Sequence, residues 1–195
     1  MPENTEVKIE AKSLLRSTLL ARRQAQSMSG GPGEQHRALA TRLRKVIAQH
    51  QVSNIGFYWP VAGEFDARGL LTEWLASGDS REAALPVVLR AHAPMVFHGW
   101  HSQSLMKDGR YRIPVPAEER MVVPELLLIP CVGFDVNRYR LGYGGGYYDR
   151  TLAAWPTSNK PVTIGVAFES ANCGRLPQEE HDLPLDVVVT EVAIY

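Results

Sequence analysis

The stretch Arg140-Leu-Gly-Tyr-Gly-Gly-Gly-Tyr-Tyr-Asp-Arg150 (RLGYGGGYYDR) follows an apolar run, Leu126 to Ile129, that reads as a buried strand. It leads into a segment expected to be helical from Tyr147 to about Ala154. A strand, a glycine loop and a helix together make an anion site. Glycine has no Cβ, so the backbone accepts positive φ and its N–H groups can approach an oxyanion closely, and the first helical turn adds unpaired donors at its positive end. The competing reading is a tight surface turn with no ligand, but three consecutive glycines bracketed by Arg and Asp are costly to order without a reason.

The loop fits none of the common phosphate or nucleophile motifs. No Lys follows the glycines as GxxxxGK[ST] requires, and in G-x-G-x-x-G counted from Gly142 the third glycine falls on Tyr147. GxSxG is absent. What remains is a basic, glycine-rich cradle with Asp149 just inside the helix. A carboxylate beside a polyphosphate is repelled unless a cation lies between them. The arrangement therefore asks for magnesium held by Asp149 and a second acid, for which the tail offers Asp182 and Asp186.

Outward from this loop, strand-like and helix-like segments alternate. Helical periodicity runs from Val7 to about Ser27, with Ile9, Leu14, Leu15, Leu19 and Ala25 on one broad face and Lys8, Lys12, Arg16, Arg22 and Arg23 expected to be mostly solvated. Lys12 and Arg16 stand one turn apart and could grip one polyanion; the residues alone leave this open against a plain exposed basic stripe. Met28 to Gly33 reads as a loop, and Glu34 to His50 as a second helix with Leu39, Leu43, Val46 and Ile47 at core spacing. Asn54 to Trp59 is expected as the first strand, and Leu70, Leu71, Trp74 and Leu75 mark an inward helix face. Between them, Asp66 suits a helix N-cap, which leaves Glu64 as the freer carboxylate. Ala83 to Leu89 and Met95 to Trp100 read as strands; Phe97 and Trp100 could wall a pocket for a flat ring, though aromatic side chains near strand ends are more often core. Tyr111 to Pro124 has too many prolines for regular structure. Glu125 to Pro130, Val162 to Phe168 and Val187 to Val189 complete the strands of a three-layer α/β domain.

Composition sets the limits. A chain of 195 residues suits one domain, and 21 acidic against 21 basic residues give no net charge to attract nucleic acid. Two cysteines are too few for a disulfide scaffold, and the six histidines form no HExxH or Cys/His ligand spacing, so zinc is not expected. With no apolar leader and no run of about 18 apolar residues, a cytoplasmic location away from the membrane is expected.

These residues resemble the 5-formyltetrahydrofolate cyclo-ligase family, also called methenyltetrahydrofolate synthetase, over nearly the whole chain. The most specific match is FDVNRYRLGYGGGYYDRTL, Phe134 to Leu152. In the family's order around it stand Lys12-x-x-x-Arg16, Trp59-Pro60 to Glu64, Met95-Val-Phe97, the strand ending Leu-Ile-Pro130, Gly165-Val-Ala-Phe168, and Leu176-Pro followed by His181-Asp182-x-Pro-Leu-Asp. The resemblance implies one domain over residues 1–195. Its fold would be an αβα sandwich with a mostly parallel sheet, related to sugar-phosphate isomerase and CoA-transferase folds.

The implied activity is the ATP- and magnesium-dependent conversion of 5-formyltetrahydrofolate to 5,10-methenyltetrahydrofolate, with release of ADP and phosphate. In the implied mechanism the formyl oxygen attacks the γ-phosphorus to give an imidate-like phosphate, and N10 then closes the ring. Carried over by motif, Arg140 and Tyr147 would act at the reacting groups. Lys12, Arg16, Arg140, Leu141, Gly142, Tyr143, Gly144, Gly145, Gly146, Tyr147 and Tyr148 would hold ATP. Trp59, Glu64, Tyr143, Gly144, Gly145, Gly146 and Tyr147 would hold folate, and Asp149 and Asp182 magnesium. A monomer acting on small molecules is expected. Competing readings are a non-catalytic nucleotide or folate binder, and a sugar-phosphate isomerase of related fold. The chain departs from the family at Arg138, where a glycine is usual and positive φ is expected, at Val115 before Pro116, where glutamate is usual, and at Ala171, where glutamine is common.

Overall fold

The computed structural model describes residues 3–29, 33–179 and 182–195. In chain order its elements are α1 (Glu3–Ser29), α2 (Glu34–Ala48), β1 (Asn54–Gly56), α3 (Arg68–Ala76), β2 (Glu82–Val87), β3 (Val96–Trp100), β4 (Met106–Asp108), β5 (Pro114–Pro116), β6 (Leu126–Pro130), β7 (Gly133–Phe134), β8 (Arg140–Leu141), α4 (Tyr147–Ala153), β9 (Val162–Val166) and β10 (Val187–Val189). Six strands form one sheet in the order β10-β9-β6-β1-β2-β3, parallel throughout except for β3 against β2. The architecture is therefore α/β with a mostly parallel central sheet flanked by helices.

Leu126 to Ile129 are continuously apolar because β6 sits inside this sheet and is covered on both faces. Side chains alternate across a strand. Leu126 and Leu128 join Ile55 and Phe57 beneath Leu39, Leu43, Val46 and Ile47 of α2 and Leu70 and Leu71 of α3. Leu127 and Ile129 face the other way, with Phe97, Phe134 and Leu152 of α4. All four apolar positions assigned to α2 from periodicity are buried. Phe97 and Trp100 are core, Trp100 packing 5.0 Å from Phe57 ring to ring.

From β1 the chain winds to β2 and β3 on one side of the sheet, whereas β6 is followed by β9 and β10 on the other. The loops leaving the C-terminal ends of adjacent β1 and β6 thus diverge, and the crevice between them is the usual ligand position of an open α/β sheet.

Three expectations are corrected. First, α1 buries only part of the expected apolar face: Leu14 is 71% exposed and Ile9 also faces solvent. It packs through Leu15, Leu19 and Leu20 on the β7–β8 hairpin, against Val132, Leu141 and Leu176. The same side carries Lys12, Arg16 and Arg23 inward, because what lies beneath it is loop backbone and carboxylate rather than apolar sheet. The helix also includes Met28 and Ser29, read above as loop; Gly30 to Pro32 lie outside the described residues. Second, the proline-rich connection contains β5, paired antiparallel with β4 in a two-stranded ribbon. Such a ribbon consists only of edges, so an imino nitrogen can face away from the partner. Third, β6 does not run directly into the glycine loop; the β7–β8 hairpin intervenes.

That hairpin turns on Asp135, which is fully buried and accepts N–H donors from Asn137 and Tyr139, both at 3.0 Å, and from Leu176 at 3.2 Å. Arg138 closes the turn at φ 65°, the left-handed geometry expected where the family usually has glycine. Val115 and Ala171, the other two departures, are both buried.

Candidate active site

Beyond β1, the Tyr58 hydroxyl donates to Phe65 O at 2.9 Å and folds the connecting loop back on itself. The turn has positive φ at Ala62 and Gly63, 48° and 75°. Within it Glu64 N donates to Val61 O at 3.0 Å, and Val61 N donates to Glu64 Oε2 at 2.9 Å, so the Glu64 side chain is directed inward. There Tyr143, from the glycine loop, donates its hydroxyl to Glu64 Oε1 at 2.7 Å. Arg23 of α1 stands 3.8 Å from the same oxygen, the two side chains being 9% and 4% exposed. Arg23 also donates to Tyr143 Oη at 3.3 Å and to the carbonyl of Cys131, just past the end of β6. Three segments distant in sequence are thereby tied together across the switch crevice.

Burial pushes the Glu64 carboxyl above its ordinary value, against the Val61 N–H, the Tyr143 hydroxyl and Arg23. Burial and then Glu64 raise the Tyr143 phenol, and burial pushes the Cys131 thiol up to about 12. Glu64 is thus the fixed carboxylate of this loop and not the freer one. Asp66 is the more exposed of the two; it accepts the Arg68 N–H at 3.0 Å ahead of α3 and pairs with the Arg68 guanidinium. That guanidinium lies 4.4 Å over the ring of half-buried Trp59.

The Lys12–Arg16 face of α1 overlies the glycine loop and the tail. Lys12 Nζ is 2.7 Å from Asp182 Oδ2 and 2.8 Å from Glu179 Oε2. Burial lowers the Lys12 pKa, but these two carboxylates outweigh it and hold the ammonium above its ordinary value. Arg16 Nε donates to Gly142 O at 2.7 Å. Gly144 has φ 90°, a conformation that favours glycine, whereas a Cβ there would meet the Arg16 guanidinium carbon at an ordinary contact distance of 3.4 Å. These cations are engaged rather than solvated, and Arg23 is buried.

Arg140 pairs with Asp149 in the first turn of α4 and donates to Leu183 O at 3.3 Å, next to Asp182. One guanidinium therefore links the two segments that carry the proposed metal carboxylates. Among the described residues no group of three His, Cys, Asp or Glu converges. Magnesium bound by one or two carboxylates plus substrate phosphates needs no such cage, and Asp149 and Asp182 each keep an oxygen outside the contacts just described. The donor set fits that ion.

The remaining loop residues divide. Gly146 enters α4 at φ 64°, and Arg150 returns to donate to Gly145 O. Tyr148 packs against the core with its hydroxyl buried and unbonded among the described residues. Tyr147 is not joined to Glu64; its hydroxyl lies 2.8 Å from that of Tyr111 at the tip of the β4–β5 ribbon. Sequence reasoning missed Arg23 and Tyr111. Arg23 does follow Arg16 by seven residues, two helical turns, which places it on the same face. His181, within a quoted motif, lies outside the described residues.

A cleft of 640 Å³ lined by Arg44, Ile47, His50, Leu70 and Trp74 lies beside the start of β1, at the opposite end of the strands from the crevice. It shares no residue with the crevice between β1 and β6. No helix among the described residues is long and apolar enough to cross a membrane.

The sequence matches the 5-formyltetrahydrofolate cyclo-ligase family over residues 8–191. A 5-formyltetrahydrofolate cyclo-ligase of Escherichia coli is 31% identical over 180 residues, covering 83% of this chain and 97% of the relative. One from Haemophilus influenzae is 30% identical over 168 residues, covering 80% and 87%. The solved structure of Aquifex aeolicus 5,10-methenyltetrahydrofolate synthetase superposes with a TM-score of 0.76 at 30% identity, covering 94% of this chain and 91% of that one. With this match over nearly the whole chain and this likeness of fold, the chain belongs to the 5-formyltetrahydrofolate cyclo-ligase family, a family of ligase enzymes.

Proposed function

We propose that the protein converts 5-formyltetrahydrofolate to 5,10-methenyltetrahydrofolate at the crevice between β1 and β6, consuming ATP with magnesium and releasing ADP and phosphate. The observation that carries this reading is the inward Glu64, held by Tyr143 and Arg23 beside the glycine loop, with the Lys12, Arg16 and Arg140 cations on the loop's other flank. A buried carboxylate suits the amino and ring N–H groups of a pterin, and a cationic flank suits a triphosphate. Trp59 and the loop from Gly144 to Tyr147 complete the folate side of this proposal.

In the proposed chemistry the formyl oxygen attacks the γ-phosphorus and ADP leaves. N10 then attacks the activated carbon and loses its proton, and the C–O bond breaks to release phosphate. No protein nucleophile is needed; the work of the protein is positioning and charge neutralisation. Arg140 directs its guanidinium to the phosphates, and Lys12 and Arg16 add charge from α1. Tyr147 is assigned beside the reacting groups, and Leu141 to Tyr148 supply backbone donors. Asp149 and Asp182 would hold magnesium, which when bound supplies countercharge to the triphosphate. The proposal extends to one domain over residues 1–195, to a cytoplasmic monomer, and to kinship with sugar-phosphate isomerase and CoA-transferase folds.

The test is to mix the protein with 5-formyltetrahydrofolate, ATP and magnesium and to follow methenyltetrahydrofolate absorbance. Product that requires both ATP and magnesium is expected. Its absence at ample enzyme would overturn the reading in favour of a non-catalytic binder, and turnover of a sugar phosphate instead would favour an isomerase.

A further inference from the structure

The glycine loop has a second cationic flank that the cyclisation chemistry does not use. At the tip of the β4–β5 ribbon, Gly109 N donates to Ile113 O at 3.0 Å, and the turn presents Arg110, Tyr111 and Arg112 to solvent. Tyr111 and Arg112 both adopt left-handed backbone, φ 59° and 56°, costly for bulky residues without Cβ-free glycine. The strained tip is pinned to the site by the hydrogen bond between Tyr111 and Tyr147.

The two tyrosine rings meet edge to face with centroids 6.1 Å apart. The Arg110 guanidinium lies 5.9 Å from the Tyr111 ring centre, and that of Arg150 lies 5.1 Å from the Tyr147 ring centre. The result is a row of guanidinium, phenol, phenol and guanidinium beside the glycine loop. Among the described residues none of Arg110, Arg112 and Arg150 forms an ion pair with a carboxylate. On the α1 flank, by contrast, Lys12 and Arg140 are both paired with acids.

Resting on the function proposed above, we propose that the ribbon tip, Arg110 to Arg112, is a subsite for the glutamate carboxylates of the folate. The substrate carries one ring system suited to Glu64 and, at its far end, carboxylates that need cations. The Arg110 guanidinium against the Tyr111 ring, with Arg112 beside it and neither paired with a protein carboxylate among the described residues, matches that end. Tyr111 is the positioning residue that holds the tip against Tyr147.

The experiment compares the wild-type protein with the Arg110→Ala/Arg112→Ala double variant, both sites being exposed. Binding is measured without ATP, by intrinsic fluorescence, for 5-formyltetrahydropteroate, which lacks glutamate, and for 5-formyltetrahydrofolate with one and with five glutamates. The double variant is expected to bind both glutamate forms about tenfold more weakly, with the pteroate form and the KM for ATP unchanged. Arg110→Lys/Arg112→Lys should recover part of the loss. The inference is overturned by equal losses for all three ligands, by no loss, or by a rise in the ATP KM instead, which would assign the cations to phosphate. Failure of the proposed reaction shows separately, as no ATP-dependent product with wild-type protein that still binds folate. Absence of any folate binding overturns both.

Discussion

The Tyr143 hydroxyl lies 2.7 Å from Glu64 Oε1, so a single hydrogen bond joins the glycine loop to the loop after β1. The carboxylate it reaches is almost wholly buried and has few other donors: Val61 N on one oxygen, and Arg23 at 3.8 Å on the other. Tyr143→Phe removes the donor and leaves the ring in place. A hydrogen bond to a charged group is worth roughly 1.5–3 kcal/mol. Folate affinity should fall roughly ten- to a hundredfold, with the KM for ATP unchanged. Steady-state kinetics with each substrate varied in turn checks this; a loss confined to ATP would refute the assignment of Tyr143 to the folate side.

The raised pKa of Glu64 makes a prediction for stability. The native state holds this proton more tightly than the unfolded chain, because burial outweighs the donors around it. Between the ordinary value of 4.5 and the raised native value, the folded protein therefore binds more protons than the unfolded one. Stability from this group falls as pH rises through that window and is level above it. Glu64→Gln abolishes the dependence. Urea unfolding at a series of pH values should show the variant gaining on the wild type as pH rises through the window. A constant difference, or one moving the other way, would show that the native pKa is not raised.

Asp149 has one oxygen committed to Arg140 and belongs to the carboxylate pair proposed for magnesium. Asp149→Asn keeps the shape and removes the charge. The magnesium concentration for half-maximal turnover should rise about tenfold, equivalent to roughly 1.4 kcal/mol, while folate binding measured without nucleotide stays within about twofold of wild type. Equal effects on both would mean that Asp149 serves the loop's conformation and not the ion.

What could be read from the chain depended on what each element packs against. Leu126 to Ile129 announced a doubly covered strand, and Leu39, Leu43, Val46 and Ile47 an inward helix face, because both meet apolar sheet and obey its periodicity. α1 meets loops and carboxylates, so its contact face mixes Leu15 and Leu19 with Lys12, Arg16 and Arg23, and apolar periodicity placed only Leu15 and Leu19 of its expected face correctly. Glu64 was legible as a residue of the site but not as a buried one, since its inward direction depends on the turn at Ala62 and Gly63 and on partners 41 and 79 residues away in sequence. The link between Tyr111 and Tyr147 was hidden for a related reason. A proline-rich connection carries no strand pattern, and only the pairing of β5 with β4 brings its tip to the glycine loop.

Arg138 tests how the hairpin before the glycine loop is held. Its φ of 65° is left-handed, yet Arg138 Nε donates to Leu185 O at 3.0 Å, and Leu185 N donates to Arg138 O at 2.9 Å. Arg138→Gly relieves the backbone strain but loses the guanidinium contact and adds freedom to the unfolded chain; these terms oppose, so stability should change by less than about 1 kcal/mol. Arg138→Val puts a β-branched residue into the same geometry without the compensating contact, and should cost about 2 kcal/mol or more. The backbone bond to Leu185 ties this turn to the segment that carries Asp182, so the valine variant should also raise the magnesium requirement, whereas the glycine variant should not. Urea denaturation and magnesium titration of both variants decide the matter. Equal stability of the two would show that the side chain, rather than the turn's left-handed backbone, governs this position.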